Sequence, residues 1–204
     1  MKRYGLRGAI VVLALIGWFR SQSLIASRSL RDGVITDGLH ELFRPIHGYL
    51  LQHPKIADRV LMVSSAFIDA FGIFLIAASV FGPTMRPFVG LLILFIFRQI
   101  CQGLCALPIP RDMIWRDPGF PSLLVTYGVA NDFFFSGHTA IAALGAIEVA
   151  RLAPGWLGLL ALSIAFLEAA AVVILRAHYS MDIIAALFAA WFAADIASWL
   201  CVGL

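Results

Sequence analysis

Two short segments of the chain carry side chains that can do chemistry together. NDFFFSGHT at 131–139 supplies His138, and RAHYSMD at 176–182 supplies His178 and Asp182. Each segment lies where an apolar run meets a polar connection. A histidine oriented by an acid is a good nucleophile, and a second histidine can protonate a departing oxygen. The combination indicates phosphoryl transfer through a covalent phosphohistidine at a membrane surface.

The position of each segment relative to the apolar runs predicts where these side chains lie. Ser136, Gly137 and His138 come at the start of an apolar run, so a helix there would have them in its first turn. Unpaired N–H groups and the helix dipole at such a turn favour a phosphate, and Gly137 lets the backbone approach closely. His178 and Asp182 are four residues apart, which on a helical turn brings the carboxylate beside the imidazole. We expect all of them on the same side of the membrane.

The composition indicates that the elements holding these segments are membrane helices. Of the 204 residues, 61% are hydrophobic and 13% are charged, and the mean hydropathy is +0.92. Six stretches approach the roughly 20 apolar residues that span hydrocarbon as a helix. They cover about 8–26, 60–82, 87–106, 134–151, 155–176 and 182–203. We therefore predict an all-α, polytopic integral membrane protein, with residues 1–204 forming one bundle of six transmembrane helices.

The connection between the first two predicted spans has a helical pattern of its own. The apolar residues that set its spacing are Leu39, Leu42, Phe43, Ile46 and Leu50, and the polar ones beside them are His40, Glu41, Arg44 and His47. Pro45 lies within the pattern and would bend a helix there. We predict a short amphipathic helix at the membrane interface, with its histidines facing solvent or lipid headgroups.

Basic residues near the N-terminus indicate the orientation of the protein in the membrane. Lys2, Arg3 and Arg7 favour a cytoplasmic N-terminus, which with six spans places the active site on the non-cytoplasmic face.

Charge and cysteine content exclude several classes of partner. A net charge of +3 with scattered arginines is not typical of a protein that binds nucleic acid. Three cysteines, with no CxxC pair and no histidine at zinc spacing, indicate neither a metal site nor a disulfide framework. We expect no cofactor and no nucleic-acid partner, and a homo-oligomer stays open.

A non-enzymatic membrane scaffold or transporter is the alternative class. Taken singly, a histidine near a helix end is most often a surface or aromatic-belt residue. A transporter predicts corresponding broken or repeated segments, and the sequence contains no such pair. The joint occurrence of Ser-Gly-His at a helix entry and His-x3-Asp 40 residues later favours an enzyme.

At these residues the chain resembles the type 2 phosphatidic acid phosphatase superfamily, and within it the sphingomyelin synthase branch. NDFFFSGHT is similar to that branch's Gly-Asp-aromatic-x-x-Ser-Gly-His-Thr segment, with Asp132 at its aspartate. AHYSMD at 177–182 is similar to its His-Tyr-Thr-x-Asp segment. FRQICQGLCALPIP at 97–110 resembles a stretch in which an arginine precedes Leu-Pro-x-Pro by nine residues. The resemblance covers about residues 60–203 and implies six spans with both termini in the cytoplasm.

The resemblance implies roles for the residues of the site. His178 would be the attacking nucleophile, Asp182 its orienting partner, and His138 the acid and base for the leaving and accepting oxygens. A buried charge at Arg98 needs a partner, which a substrate phosphate or Asp69 would supply. The residues expected to bind the phosphate are Arg98, Ser136, Gly137 and Arg176, and those expected to bind the headgroup are Asp132 and Tyr179.

Two departures from the pattern leave the substrate open. The chain lacks the Lys-x6-Arg-Pro motif of the phosphatases in this superfamily, and Val172 stands where their arginine precedes the nucleophile. Arg176 occupies a position that is usually acidic in the sphingomyelin synthase branch, which favours a bare phosphate or an anionic headgroup. Asp132, Tyr179 and the nearby aromatic rings favour an ammonium group instead.

The acceptor is open as well. We expect a membrane phospholipid as the donor and no metal in the reaction. If the acceptor is a lipid hydroxyl, the protein is a headgroup phosphotransferase of the sphingomyelin synthase type. If the acceptor is water, it is a lipid phosphate phosphatase or a phospholipase C-like hydrolase.

Overall fold

The computed structural model describes residues 2–26, 35–119, 121–125, 127 and 133–202, and the regular secondary structure there is helical throughout. The helices are α1 (Lys2–Ala26), α2 (Gly38–Leu42), α3 (Arg44–Gln52), α4 (Pro54–Phe81), α5 (Arg86–Leu104), α6 (Gly137–Leu152), α7 (Gly155–Ile174) and α8 (Ser180–Leu200). Proline stands in the first turn of α3, α4 and α5, where its missing N–H loses no helical partner. The all-α prediction is confirmed for the described chain.

Five of these helices, α1, α4, α5, α7 and α8, are long and apolar enough to cross a membrane. The chain is an integral membrane protein. The remaining predicted span, 134–151, corresponds to α6, whose 16 residues extend about 24 Å, less than the roughly 30 Å of a hydrocarbon core. It begins later than predicted because Ser136 is its N-cap and not a helical residue. Six membrane crossings therefore stay a prediction.

The short helix α6 packs against α4, α5, α7 and α8. Ten of its 16 residues are buried, and half of those ten are alanine or glycine. A Cβ at Gly145 would lie 2.3 Å from Cδ1 of Phe71 in α4, and one at Gly158 in α7 would lie 3.1 Å from Cα of Ala150. Small residues at such contacts let membrane helices approach closely. This packing fixes the start of α6 relative to the ends of its neighbours.

At the C-terminal end of α6, a fully buried carboxylate connects three helices. Glu148 accepts from Arg86 Nε of α5 at 3.1 Å and from Arg151 Nη1 at 2.9 Å. Arg151 also donates to the carbonyl of Ala194 and the hydroxyl of Ser198 in α8. A buried carboxylate needs such partners to offset its desolvation. The cluster holds α6 against α5 and α8.

The segment between α1 and α4 is helical, as its spacing predicts, but it forms two short helices. The first, α2, begins after Asp37, whose carboxylate accepts from the N–H groups of Leu39 and His40. Pro45 does not bend a helix; it lies in the first turn of α3, where a proline is tolerated. Both helices pack against α7, and α2 also packs against α8. Their position at a membrane interface stays a prediction.

Candidate active site

The two motif segments come together at one end of the bundle, where α7 ends and α6 and α8 begin. A cavity of about 50 Å³ lies there, and His138, His178, Arg98 and Gly137 are among the residues that line it. That volume has room for roughly three to five water molecules, which suits a phosphate group but not the chains of a lipid. The two histidines, 40 residues apart in the sequence, therefore share one cavity.

His178 is buried, and its Nδ1 faces the carboxylate of Asp182 one helical turn further along. The distance from Nδ1 to Oδ2 is 3.5 Å. This is longer than the roughly 2.7–2.9 Å of a charge-assisted hydrogen bond, although such contacts often tighten when a substrate binds. Oδ2 also accepts from the N–H of Tyr179 at 2.9 Å, which fixes the carboxylate. The pair can hold the imidazole with Nε2, on the other side of the ring, as the attacking atom.

His138, in the first turn of α6, is the second buried imidazole. Its ring meets the indole of Trp115 edge to face, with the ring centroids 5.1 Å apart. Its Nε2 is buried and has no hydrogen-bond partner within the part of the chain that the structure describes. Leaving such an atom unpaired is costly, so a substrate oxygen is its expected partner. His138 is thus placed to exchange a proton with a group in the cavity.

Arg98 of α5 adds a buried positive charge to the cavity wall. Its Nε donates to the carbonyl of Phe135 at 2.9 Å. Its guanidinium lies against Gly137, because a Cβ at that glycine would be 3.3 Å from Nε and 3.5 Å from Cζ. The missing side chain therefore makes room for the guanidinium. Arginine and the N-terminus of α6 meet at one place, and both favour a phosphate.

Ser136 is fully buried, does not line the cavity, and holds the start of α6 in place. Its hydroxyl accepts from the N–H of Thr139 at 3.3 Å and so caps the helix that carries His138. Its own N–H donates to the carbonyl of Asp182 at 3.3 Å, which joins the start of α6 to the start of α8. A contact between Ser136 and the substrate phosphate stays a prediction.

Two other predicted ligands make contacts with the protein itself. Arg176 has a left-handed backbone conformation, with φ of 54°, at the turn after α7. Its guanidinium donates to the carbonyl of Arg111 at 3.3 Å and to that of His40 at 3.5 Å. Tyr179 is buried, and its hydroxyl donates to the carbonyl of Pro108 at 3.0 Å. Since the cavity is lined by other residues, these positions do not support the predicted ligand roles, which stay predictions.

The predicted headgroup pocket is described in part. Asp132 lies outside the described residues. Phe133 and Trp115 line the cavity, and the ring of Phe133 lies 6.2 Å from that of His178. Trp115 also contacts His138. Aromatic faces beside a phosphate site are suited to a quaternary ammonium group.

Two histidines that the sequence pattern places at the surface are buried against the turn at 175–179, which joins α7 to α8 and carries the candidate nucleophile His178 (the catalytic turn). His40 Nε2 donates to the carbonyl of His178 at 2.9 Å, and His47 Nδ1 donates to the carbonyl of Ile174 at 2.8 Å. Burial lowers the pKa of His47, which keeps its ring neutral. The prediction that these side chains face solvent or headgroups is wrong, because they donate to the carbonyl of Ile174, at the end of α7, and to that of His178, in the turn before α8. Their spacing of seven residues, which puts both rings on one helix face, was the available signal.

Asp37 is a further residue that the sequence analysis did not single out. Its Oδ2 accepts from the N–H of Ser180 at 2.6 Å, and its Oδ1 accepts from the N–H of His40 at 3.2 Å. Burial alone would raise the pKa of the Asp37 carboxyl, but the hydrogen bonds from Ser180 and His40 outweigh burial and lower it below its ordinary value. The carboxylate joins α2 to the first turn of α8. An aspartate just before a helical pattern, as an N-cap, was the signal for it.

The loop that precedes α6 is fixed over the cavity from α4. Leu124 and Val125 of this loop line the cavity. Asp69 of α4 accepts from the N–H of Leu123 at 2.8 Å and from that of Leu124 at 2.9 Å, one bond to each carboxylate oxygen. Asp69, which the sequence suggests as a partner for Arg98, therefore holds the loop segment that lines the cavity.

The arrangement suits phosphoryl transfer. His178 has the carboxylate of Asp182 at its Nδ1, and His138 has a buried Nε2 with no hydrogen-bond partner among the described residues. The guanidinium of Arg98 lies at the start of α6. Groups of these kinds can act as a nucleophile, as an acid and base, and as a donor to phosphate oxygens. Among the described residues, no group of three or more His, Cys, Asp or Glu side chains is arranged to hold a metal ion.

Comparison with known proteins identifies the family. A family model described as AtPDCT1/2, the phosphatidylcholine:diacylglycerol cholinephosphotransferase family, matches residues 37–199, about four fifths of the chain. The chain belongs to this family. No curated protein and no solved structure gives a significant match.

Membership of the AtPDCT1/2 family agrees with the chemistry of the site. The family is a phosphocholine transferase family, and the match supports a membrane lipid headgroup phosphotransferase that uses membrane phospholipids. The matched region contains every residue predicted for the site and also Asp37, His40 and His47. Helix α1 lies outside it. The resemblance to the phosphatidic acid phosphatase superfamily stays a hypothesis about mechanism.

Proposed function

We propose that this protein transfers phosphocholine from phosphatidylcholine to the hydroxyl of diacylglycerol through a phosphohistidine intermediate, with a mechanism like that of sphingomyelin synthases. The family match supports the donor and the acceptor. The observation that carries the mechanism is the convergence of His178, His138 and Arg98 on one small cavity, with the carboxylate of Asp182 facing Nδ1 of His178.

In the first half of the reaction, Nε2 of His178 attacks the phosphorus of phosphatidylcholine. The bond between phosphorus and the diacylglycerol oxygen breaks, and His138 gives that oxygen a proton that it takes up when the anionic phosphate binds beside it. Diacylglycerol leaves, and phosphocholine stays bound to His178. The positive charge on the phosphorylated ring is balanced by Asp182 at its Nδ1.

In the second half, a new diacylglycerol brings its hydroxyl to the phosphohistidine. His138, now neutral, takes the hydroxyl proton while the oxygen attacks phosphorus. The phosphorus–nitrogen bond breaks, a new phosphatidylcholine forms, and His178 and protonated His138 are restored. The proton that left with the first diacylglycerol is therefore replaced by the proton of the second.

The charge that develops on the phosphoryl oxygens is stabilised by groups of α5 and α6. Arg98 is held against Gly137 by its bond to the carbonyl of Phe135, so the guanidinium and the N-terminus of α6 act on the same oxygens. Donors that are already in place before the reaction stabilise a transition state most effectively. The faces of Trp115 and Phe133 are available to the choline ammonium group.

The experiment uses the purified protein in lipid vesicles that contain headgroup-deuterated phosphatidylcholine and diacylglycerol with distinct acyl chains. Mass spectrometry is expected to find deuterated phosphatidylcholine with the chains of the added diacylglycerol. Vesicles without added diacylglycerol are expected to release diacylglycerol in an amount no greater than that of enzyme. Free deuterated phosphocholine as the main product would mean that water is the acceptor and would overturn the proposed transfer.

The catalytic residues are tested in the same vesicles. His178→Ala is expected to abolish both the initial release of diacylglycerol and the transfer, and His138→Ala is expected to lower both by about 10²–10⁴-fold, the usual range for a positioned acid or base. His53→Ala is the matched control, because His53 is an exposed histidine whose ring contacts only the nearby Tyr49 among the described residues, by a hydrogen bond from Nδ1 to its carbonyl and by stacking on its ring. Transfer that persists in His178→Ala would refute the phosphohistidine.

A further inference from the structure

An apolar groove runs between α1 and α5 on the outside of the bundle. Its volume is about 420 Å³, within the roughly 300–1,000 Å³ of ligand pockets. Ala14 and Gly17 line it from α1, and Leu92 and Ile96 line it from α5. Both helices are long and apolar enough to cross a membrane, so we expect the groove to face hydrocarbon.

The groove adjoins the active-site cavity. Trp18 of α1 and Phe95 of α5 line both spaces. Their rings are stacked, with centroids 4.5 Å apart and planes within 3° of parallel. This ring pair is therefore the wall that separates a polar cavity from an apolar groove.

Trp18 also carries a polar group that the protein leaves unused. Its Nε1 is buried and has no hydrogen-bond partner among the residues that the structure describes. An indole N–H can only donate, so it needs an oxygen or nitrogen acceptor. Buried tryptophan N–H groups usually find an acceptor, and since none of the described residues supplies one, this donor is available to a bound molecule.

Helix α1 is attached to the bundle on both sides of the groove. Near its start, Arg7 Nη1 donates to the carbonyls of Ser79 and Gly82, both at 3.2 Å. Near its end, the side-chain amide of Gln99 donates to that of Gln22 at 2.8 Å. The open space between these two attachments is thus a feature of a docked helix. Because α1 lies outside the region matched by the family, nothing in the family description assigns it a role.

We propose that the groove between α1 and α5 binds one acyl chain of the diacylglycerol moiety of the lipid substrates, and that Trp18 donates its indole N–H to an ester oxygen of that moiety. The order of groups in the lipid matches their order in the protein. The phosphate lies in the cavity beside Arg98 and His178, the glycerol esters lie at Trp18, and the acyl chain continues into the groove. This inference rests on the proposed function.

The chemistry explains why one such groove is sufficient. The leaving group of the first half-reaction is a diacylglycerol, and the acceptor of the second is again a diacylglycerol. The same subsite can therefore hold the diacylglycerol portion in both halves, with an exchange of one molecule for another between them. It follows that the two substrates compete for it, so high diacylglycerol concentrations inhibit the first half-reaction.

The groove is tested by filling it from a position that has room. A Cβ at Gly17 would meet no atom within 4 Å, and the same holds for Gly5 on the same helix, which does not line the groove. Gly17→Leu and Gly5→Leu therefore make the same gain in helix propensity without a clash. We expect Gly17→Leu to lower kcat/KM for long-chain phosphatidylcholine by about tenfold, the equivalent of roughly two displaced methylenes. Short-chain phosphatidylcholine and the Gly5→Leu variant are expected to show little change.

The hydrogen bond is tested by Trp18→Phe, which keeps an aromatic ring against Phe95 and removes the N–H. For diacyl phosphatidylcholine we expect kcat/KM to fall by about five- to tenfold, the usual loss for one buried hydrogen bond. Phosphatidylcholine with ether-linked chains lacks the ester carbonyls, so it is expected to react equally well with Trp18→Phe and the original protein. An equal loss for ester and ether lipids would overturn the role of the N–H.

A binding measurement separates this inference from the proposed function. Phosphatidylcholine with a photoreactive group in one acyl chain is irradiated with the protein in vesicles, and labelled peptides are identified by mass spectrometry. Labels on α1 and α5 that disappear in Gly17→Leu support the groove, whether or not the protein turns over. Labelling unchanged in Gly17→Leu, or cross-links from this face to a second copy of the chain, overturn it. Absence of turnover in the unaltered protein counts against the proposed function alone.

Discussion

Replacement of Asp182 by asparagine separates the two tasks of this carboxylate. Its Oδ2 accepts from the N–H of Tyr179 at 2.9 Å and lies 3.5 Å from Nδ1 of His178. Asparagine keeps the size of the side chain and an oxygen that accepts the first bond. It loses the negative charge that faces the imidazole. Stability depends on the first contact and turnover on the second, so they are expected to respond differently.

The size of the effect follows from the distance. When His178 becomes phosphorylated its ring is positively charged, and a carboxylate 3.5 Å away stabilises that charge. With an effective dielectric constant of about 20, the Coulomb energy is about 5 kcal/mol, which corresponds to roughly three orders of magnitude in rate. The effect on the capping contact is smaller, because Asp182 is the N3 residue of the capping box and the side-chain oxygen of asparagine can still accept from the N–H of Tyr179. We expect turnover to fall by about 10³-fold while the free energy of unfolding changes by less than about 1 kcal/mol.

The assay measures initial rates of headgroup transfer in vesicles and thermal unfolding of the same preparations in detergent. Asp182→Ala is the companion variant, since it also leaves the N–H of Tyr179 unpaired at a buried position, at a cost of about 1–3 kcal/mol. Asp195→Asn, an exposed aspartate on the same helix, is the control and is expected to change neither quantity. Turnover of Asp182→Asn within tenfold of the original, at equal stability, would refute the electrostatic reasoning. A parallel loss of turnover and stability would show that the residue acts only as a cap.

Three further predictions concern the residues that surround the catalytic turn. His40→Phe removes the donor to the carbonyl of His178, a hydrogen bond worth about 1 kcal/mol. We expect transfer to fall about fivefold with no loss of folded protein. Unchanged transfer would contradict a positioning role for His40. Asp69→Ala removes two hydrogen bonds that hold the loop segment lining the cavity, each worth about 1.5–3 kcal/mol because the acceptor is charged. We therefore expect the ratio of phosphocholine release to transfer in vesicles to rise at least tenfold. A constant ratio would show that the loop does not exclude water. Because the pKa of Asp37 is lowered on folding, its contribution to stability is present above its ordinary pKa and is lost as pH falls through the lowered value. Asp37→Asn is therefore expected to unfold with a weaker dependence on pH in the acid range, and identical acid unfolding curves would contradict this.

Much of the site was predictable because its signals are local. The Ser-Gly-His segment and the His-x3-Asp segment each lie at a helix start, and the end of an apolar run is visible in the sequence. The helix start near Ser-Gly-His follows from the apolar run that begins there, although Ser136 is its N-cap and not in its first turn as predicted, and the turn spacing between His178 and Asp182 follows from helix geometry. The all-α class follows from the length of the apolar runs.

The contacts that could not be predicted join residues far apart in the chain. His40 and His178 are 138 residues apart, and His47 and Ile174 are 127 apart. A buried amphipathic helix and an interfacial one have the same apolar spacing, so only the packing of α2 and α3 on α7 distinguishes them.

Arg176 illustrates a second limit, that of residue type. An arginine two positions before the nucleophile suggests a phosphate ligand. The left-handed turn at this residue directs its guanidinium instead to the carbonyls of Arg111 and His40. Backbone conformation at a helix end decides where a long side chain points. The presence of an arginine at position 176 does not reveal that conformation.

Choice between a lipid hydroxyl and water as acceptor depends on the same contacts that position the nucleophile. A phosphohistidine reacts with any hydroxyl that reaches it, so transfer requires a site closed to water and open to lipid. On one side, Asp69 holds the loop over the cavity, and His40 and Asp37 hold α2 against the catalytic turn. On the other side the stacked rings of Trp18 and Phe95 line both the cavity and an apolar groove. Separation of those two rings would admit a lipid without admitting bulk water, because the groove behind them is apolar. Weakening the hydrogen bonds of Asp69, His40 and Asp37 would admit water instead. Hydrolysis is therefore expected to rise before transfer is lost.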